Sequence, residues 1–152
     1  MKASAKLSSN LQTVLVDLID LHLQGKQAHW NLVGTNFRDL HLQLDEVVAA
    51  ARLFSDQVAE RMRALHALPD GRAQTVAGSS SLSSFGAGLQ QTERVVDLIG
   101  KRLEGVCGTI REVHDQVDEE DPTTADLLHA IIEKLEQFAW MIEAENMTTK
   151  TP

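Results

Sequence analysis

Positive charge is in short supply: 14 Lys and Arg stand against 22 Asp and Glu in 152 residues, a formal net charge of −8. Nonspecific affinity for nucleic acid rests mostly on Lys and Arg that release counterions from phosphates. The balance argues against a basic face that tracks phosphates, and an acidic surface suits metal cations instead. Lys2 and Lys6 at the front and Lys150 at the back are the only positive side chains near the termini. Cysteine is nearly absent. The one present, Cys107, has no partner for an intrachain disulfide and reads as a buried bystander within an apolar helical pattern. Prolines number three, and with 43% hydrophobic and 24% charged residues this composition fits a helical protein better than a disordered or sheet-rich one. Long apolar runs are missing as well. The most apolar opening stretch, residues 11–23, is interrupted by Asp17 and Asp20, so it is neither a signal peptide core nor a membrane helix. The expected location is the cytoplasm, and residues 1–152 are expected to form one domain with short tails and a single core.

Four stretches carry helical periodicity with matching punctuation. Leu7, Leu11, Val14, Leu18 and Leu21 mark the first, which runs towards Val33 and stops at Gly34. Phe37, Leu40, Leu44, Val48, Ala51, Val58, Met62 and Leu65 mark the second, which ends before Pro69. The third follows Val96, Ile99, Leu103, Val106, Ile110, Val113 and Val117, and the fourth Leu128, Ile131, Leu135, Phe138 and Ile142. Between the second and third lies a Gly- and Ser-rich stretch from Pro69 to Gly88, far longer than a minimal bundle turn. The spacing predicts an all-α four-helix architecture with a long crossover that carries a short helix. Asp121 and Pro122, followed by Thr123, Thr124 and Asp126, look like a helix start.

The second helix has an unusual polar stripe: His41, Asp45, Asp56 and Glu60. At 100° per residue the four fall within an arc of about 100°, beside the apolar face rather than opposite it. Taken singly, they fit a solvated face with Asp56–Arg61 or Glu60–Arg63 pairing. As a set they fit it less well. Asp45 and Asp56 are about 16 Å apart along the axis, so one helix cannot bring both ends to one ion. Positions 41 and 60 share the midpoint of 45 and 56, however. Two copies crossing antiparallel about a two-fold axis there would bring His41 and Asp45 of one to Asp56 and Glu60 of the other, with small residues, Ala49 to Ala51, at the crossing. Imidazole with carboxylates suits Fe(II) or Zn(II), and iron fits best if the site stays partly open to an oxidant. His29 could fold back onto the site across the Gly34 turn, with Trp30 beside it. Taken alone, His29 suits a helix-end histidine, and Trp30 and Trp140 suit the core.

The run His29-Trp30-Asn31, Gly34, Phe37, His41, Asp45, then Asp56 and Glu60 followed by Arg61 resembles, in residue type and spacing, the ferroxidase signature of the Dps family of mini-ferritins. The likeness extends over most of the chain, including the segment from Asp121-Pro122 to Trp140. It implies a ferritin-like four-helix bundle with its crossover between helices 2 and 3, assembled as a hollow homododecamer of tetrahedral symmetry. Iron, as Fe2+/Fe3+, would be oxidised at two-fold-related inter-subunit sites, with hydrogen peroxide preferred over oxygen, and stored as ferric mineral, protecting the cell from oxidative damage. His29, His41 and Asp45 would be metal ligands from one subunit, and Asp56 and Glu60 from its mate. Trp30 would be the catalytic residue that takes up oxidising equivalents. Carboxylates also line a three-fold pore that admits iron in this family, and Asp121 and Asp126 are the candidates here; carboxylates near a helix N-terminus serve stability equally well.

The family's DNA binding usually rests on Lys- and Arg-rich tails, and this chain departs from that pattern, so DNA binding is expected to be weak or absent and no DNA-binding residue is assigned. Nucleoid association would follow only if DNA binds. Two competing readings are a DNA-compacting protein with a vestigial metal site and a non-oxidising bundle that holds zinc at the same ligands. Intact ligands and missing basic tails disfavour the first, and only iron turnover separates the second.

Overall fold

The computed structural model describes residues 1–149. Four long helices, α1 (Ala5–Asn31), α2 (Phe37–Ala64), α4 (Thr92–Glu120) and α5 (Pro122–Glu143), account for most of it, and α3 (Ala73–Ser79) is the short helix of the crossover. α1 packs along α2 and α4 along α5, and the two pairs close on each other through α1 with α4 and α2 with α5. The apolar stripes make that closure favourable. Leu7, Leu11, Val14, Leu18 and Leu21 join Leu40, Leu44, Ile99, Leu103, Ile110, Leu128, Ile131 and Leu135 in one buried cluster. Full burial of such a side chain is worth about 1.5–3 kcal/mol, and packed amphipathic faces contribute most of a helix's stability.

Helix ends differ from the periodic pattern where the backbone is needed elsewhere. α1 stops at Asn31, and Leu32–Val33 (β1) pairs in parallel with Gln90–Gln91 (β2), tying the exit of α1 to the start of α4. Gly34 follows at φ +122°, where a Cβ would lie 2.8 Å from the Gln91 side-chain oxygen. Asn36 takes φ 58° just before α2, a left-handed position that asparagine tolerates. α2 stops at Ala64, short of Pro69: His66 adopts φ 60°, its amide donates to Arg63 O at 3.0 Å, and the Ala67 amide reaches back to Met62 O at 2.8 Å. That is a Schellman closure, with histidine where glycine is usual. α5 begins as expected, with Asp121 in the cap position and Pro122 in the first turn.

The crossover is held by two buried charges of opposite sign. Asp17, fully buried on α1, accepts from the Ser81 amide at 2.8 Å, the Ser81 hydroxyl at 2.5 Å and the Thr109 hydroxyl at 2.7 Å. Arg102, buried on α4, donates to Gln24 and to the carbonyls of Ser83 and Ser84. The first of these charges is one of the two that break the apolar run in α1, and its partners explain why it can lie inside: each carboxylate oxygen is satisfied. Among the described residues no helix is long and apolar enough to cross a membrane.

Candidate metal centre

The Gly34 turn brings the last turn of α1 against the first turns of α2, and there His29 meets His41. Their rings stack with centroids 3.7 Å apart and planes 19° from parallel. Each holds the other's backbone: His29 Nδ1 lies 2.9 Å from His41 O, and His41 Nδ1 lies 3.0 Å from His29 O. A carbonyl oxygen only accepts, so each Nδ1 carries its proton and donates it. In the neutral form of each ring this tautomer leaves the lone pair on Nε2, the arrangement that a metal-binding imidazole needs. Phe37 stacks on the outer face of His41, 5.1 Å between centroids. The apolar stripe of α2 places Phe37 in the core, but it is 44% exposed and packs on the imidazole instead.

Asp45, one turn beyond His41 on α2, completes this group. Its carboxylate lies 2.5 Å from Lys26 Nζ and 3.4 Å from His29 Nδ1. The hydrogen bond from Lys26 holds the carboxyl below its ordinary range, with the two histidines adding to the effect and partial desolvation opposing it. Asp45 is thus an anion already facing a cation. The part played by Lys26 was not drawn from the sequence, although its position three residues before His29 puts it on the same side of α1.

The remaining two expected ligands lie elsewhere. Asp56 and Glu60 sit on the second half of α2, both exposed, and among the described residues neither makes a hydrogen bond or an ion pair. The Asp56–Arg61 and Glu60–Arg63 pairs of a simple solvated face do not form. Arg61 turns to α5, donating to Asp121 at 2.6 Å and to the Thr124 hydroxyl at 2.9 Å, and Arg63 donates to Ala67 O. Asp56 lines a surface groove with His22 and Arg52, and the apolar floor beside it includes Leu15, Ile19 and Leu53. Among the described residues of one chain, no three His, Cys, Asp or Glu side chains converge as a metal ion requires. His29, His41 and Asp45 form one group, and Asp56 and Glu60 another.

Trp30 is 67% exposed and lines a groove with Leu23, Gln27, Leu82 and Phe85; Trp140 is 65% exposed. Neither belongs to the core, because both fall on outward faces of their helices. The two carboxylates at the start of α5 also part company. Asp121 is buried and engaged by Arg61 and by the Thr124 hydroxyl. Burial works against its charge, but these two donors outweigh it and the carboxyl lies below its ordinary value. Asp126 is exposed and lies 3.9 Å from His129 Nδ1.

Residues 8–150 match the family model described as a ferritin-like domain. The chain is 36% identical over 141 residues to DNA protection during starvation protein 2 of Deinococcus radiodurans, covering 93% of this chain but only 58% of that longer relative. It is 34% identical to the DNA protection during starvation protein of Agrobacterium fabrum, covering 88% of this chain and 83% of the relative. Among solved structures, a Dps from D. radiodurans superposes with a TM-score of 0.91 at 34% identity, over 95% of this chain and 88% of that one. A Dps from Microbacterium arborescens, solved in a high iron form, gives 0.88 at 30% identity, over 96% and 98%. A ferritin-like match across nearly the whole length, with Dps relatives in both sequence and structure, makes this chain a member of the Dps family of ferritin-like proteins.

Proposed function

We propose that the protein is an iron-storing ferroxidase: it binds Fe(II) at sites completed by two copies of the chain, oxidises it with hydrogen peroxide in preference to oxygen, and retains Fe(III) inside a hollow dodecamer. The observation that carries this reading is the reciprocal clasp of His29 and His41, in which each Nδ1 is held by the other's backbone carbonyl and each Nε2 is left to face a metal, next to the anionic Asp45. That group supplies two nitrogens and a carboxylate. Asp56 and Glu60, exposed and unpaired, supply carboxylates from the two-fold mate, in line with the mirrored spacing along α2. Leu53, 55% exposed beside Asp56, gives the mate apolar surface to cover. A donor set of imidazole and carboxylate with open positions suits Fe(II), which arrives as substrate and replaces the Lys26 ammonium against Asp45.

In this account Trp30, next in the chain to His29, accepts oxidising equivalents that escape the centre, and Asp126 belongs to the pore that admits iron. Asp121 holds the start of α5 through Arg61 and contributes to the pore by positioning it. The protein works in the cytoplasm, limits oxidative damage by consuming peroxide together with iron, and binds DNA weakly or not at all.

The test is anaerobic loading of the assembly with Fe(II), then a peroxide pulse, with ferric absorbance and particle mass recorded together. Rapid oxidation with iron retained in a particle of about 200 kDa, twelve chains of 16.7 kDa, is the expected result. Oxidation at the uncatalysed rate, or a smaller particle, contradicts it.

A further inference from the structure

Gly25 lets α1 and α2 come close together one turn before His29: a Cβ there would lie 3.0 Å from Val48 Cγ2. The next residue, Lys26, reaches across that seam, and its ammonium sits 2.5 Å from Asp45 Oδ1 with 30% of the side chain exposed. Among the described residues it is the only Lys or Arg paired with a carboxylate of the candidate centre. Arg61 and Arg63, which follow Glu60 in the chain, are committed to Asp121, Thr124 and the Ala67 carbonyl. Arg52 lines the groove beside Asp56 without forming an ion pair with it.

The carboxylates stand on a surface shaped for a second chain. At 100° per residue Asp45, Asp56 and Glu60 fall within about 60° on one side of α2. Leu42 and Leu53, 46% and 55% exposed, lie on the same side and offer apolar surface between them. A two-fold axis near the middle of α2 sets Asp56 and Glu60 of one chain beside Asp45 of the other. Three carboxylates then meet at each of two equivalent places. Like charges a few ångströms apart in a partly desolvated contact repel by more than thermal energy, so closure of the two chains needs a cation there.

We propose that Lys26 is a built-in counter-ion: its ammonium, held on Asp45, supplies that positive charge and lets two chains close over the shared carboxylates before any iron has bound. The inference rests on the two-chain site put forward above, and adds to it how the metal-free assembly is held. Lys26 is a positioning residue in this scheme, because it acts on Asp45 and on the fit of the mate rather than on iron. Its flexible four-carbon stem lets the ammonium withdraw when a divalent cation takes its place, so the contact always holds a cation.

Sedimentation of the full-length protein in EDTA, over a dilution series and without iron or peroxide, tests the proposal. Methionine matches the stem of Lys26 and removes its charge, and circular dichroism checks the helices of each variant. Lys26→Met is expected to dissociate at protein concentrations about tenfold or more above those at which wild type does, a factor within reach of one lost charge contact. Zn2+, which has no redox chemistry, is expected to restore the assembly of Lys26→Met. Asp56→Asn with Glu60→Gln in the same chain is expected to restore it in EDTA, because the repelling charges are gone. Lys26→Met that dissociates as wild type does, or failure of either restoration, overturns the proposal. The ferroxidase reading fails separately. A wild type that assembles without oxidising Fe(II) leaves the mass comparison standing, whereas a wild type that oxidises Fe(II) beside an undisturbed Lys26→Met assembly sinks the counter-ion alone.

Discussion

Arg61 and Asp121 illustrate how a charged pair can be read wrongly from its neighbours in sequence. The sequence offers Asp56 and Arg61 as a pair on one helix, but the guanidinium instead crosses to α5, where Asp121 is buried and Thr124 is at hand. Removing one partner of such a pair strands the other, so Arg61→Ala is expected to destabilise the fold by about 2–3 kcal/mol, less than a fully enclosed pair because Arg61 keeps 28% exposure. Chemical denaturation measures it. The pH dependence has a definite sign. Asp121 is held below its ordinary value of 3.8, so its contribution is complete above that value and disappears as pH falls through the depressed one. Acid titration of stability in Asp121→Asn should therefore converge on wild type only below about pH 4. Cys107 offers a second check. It is 4% exposed, and burial, aided by Glu136, pushes its thiol up to about 11. A thiol-specific reagent at neutral pH is expected to modify it only slowly until denaturant is added, because the thiolate is the reacting form.

Among the elements, the four long helices were legible because apolar residues recur at helical spacing over about four turns or more in each, and the crossover because its Gly- and Ser-rich stretch is too long for a bundle turn. Their ends were not. Whether α1 continues to Val33 depends on Gln90 and Gln91, which are far away in sequence and supply the β1–β2 pairing. The position of His66 in a left-handed turn is equally hidden, since histidine is not a usual residue there. The buried roles of Asp17 and Arg102 required knowing which loop passes over them. Both now make a prediction: Arg102→Ala releases the carbonyls of Ser83 and Ser84, so amide hydrogen exchange and proteolytic nicking should increase across residues 80–88, with α1 and α2 unchanged. Equal protection in wild type and variant would show that the crossover is held by other contacts.

For the molecule as a whole, the candidate ligands of the proposed site were visible as residue types in a mirrored pattern on α2, and the structure brings His29 and His41 into contact across the Gly34 turn. The clasp through backbone carbonyls and the lysine facing Asp45 were not legible, because both depend on the angle at which α1 meets α2. Charge sets the partner preferences. About −100 formal charges on twelve copies of a −8 chain repel a polyanion, so linear DNA should remain unshifted in a gel assay at about 150 mM salt. The central claim is that each oxidising site draws on two chains, and mixing two defective chains tests it most directly. One carries His41→Ala, and the other carries Asp56→Ala with Glu60→Ala. Alone, each is expected to oxidise Fe(II) with peroxide at the uncatalysed rate. Refolded together, half of the dimers are mixed and each regains one of its two sites, so about a quarter of wild-type activity should return. Substantial activity in either variant alone, or no recovery in shells shown by mass to contain both chains, would contradict a site shared across the two-fold axis.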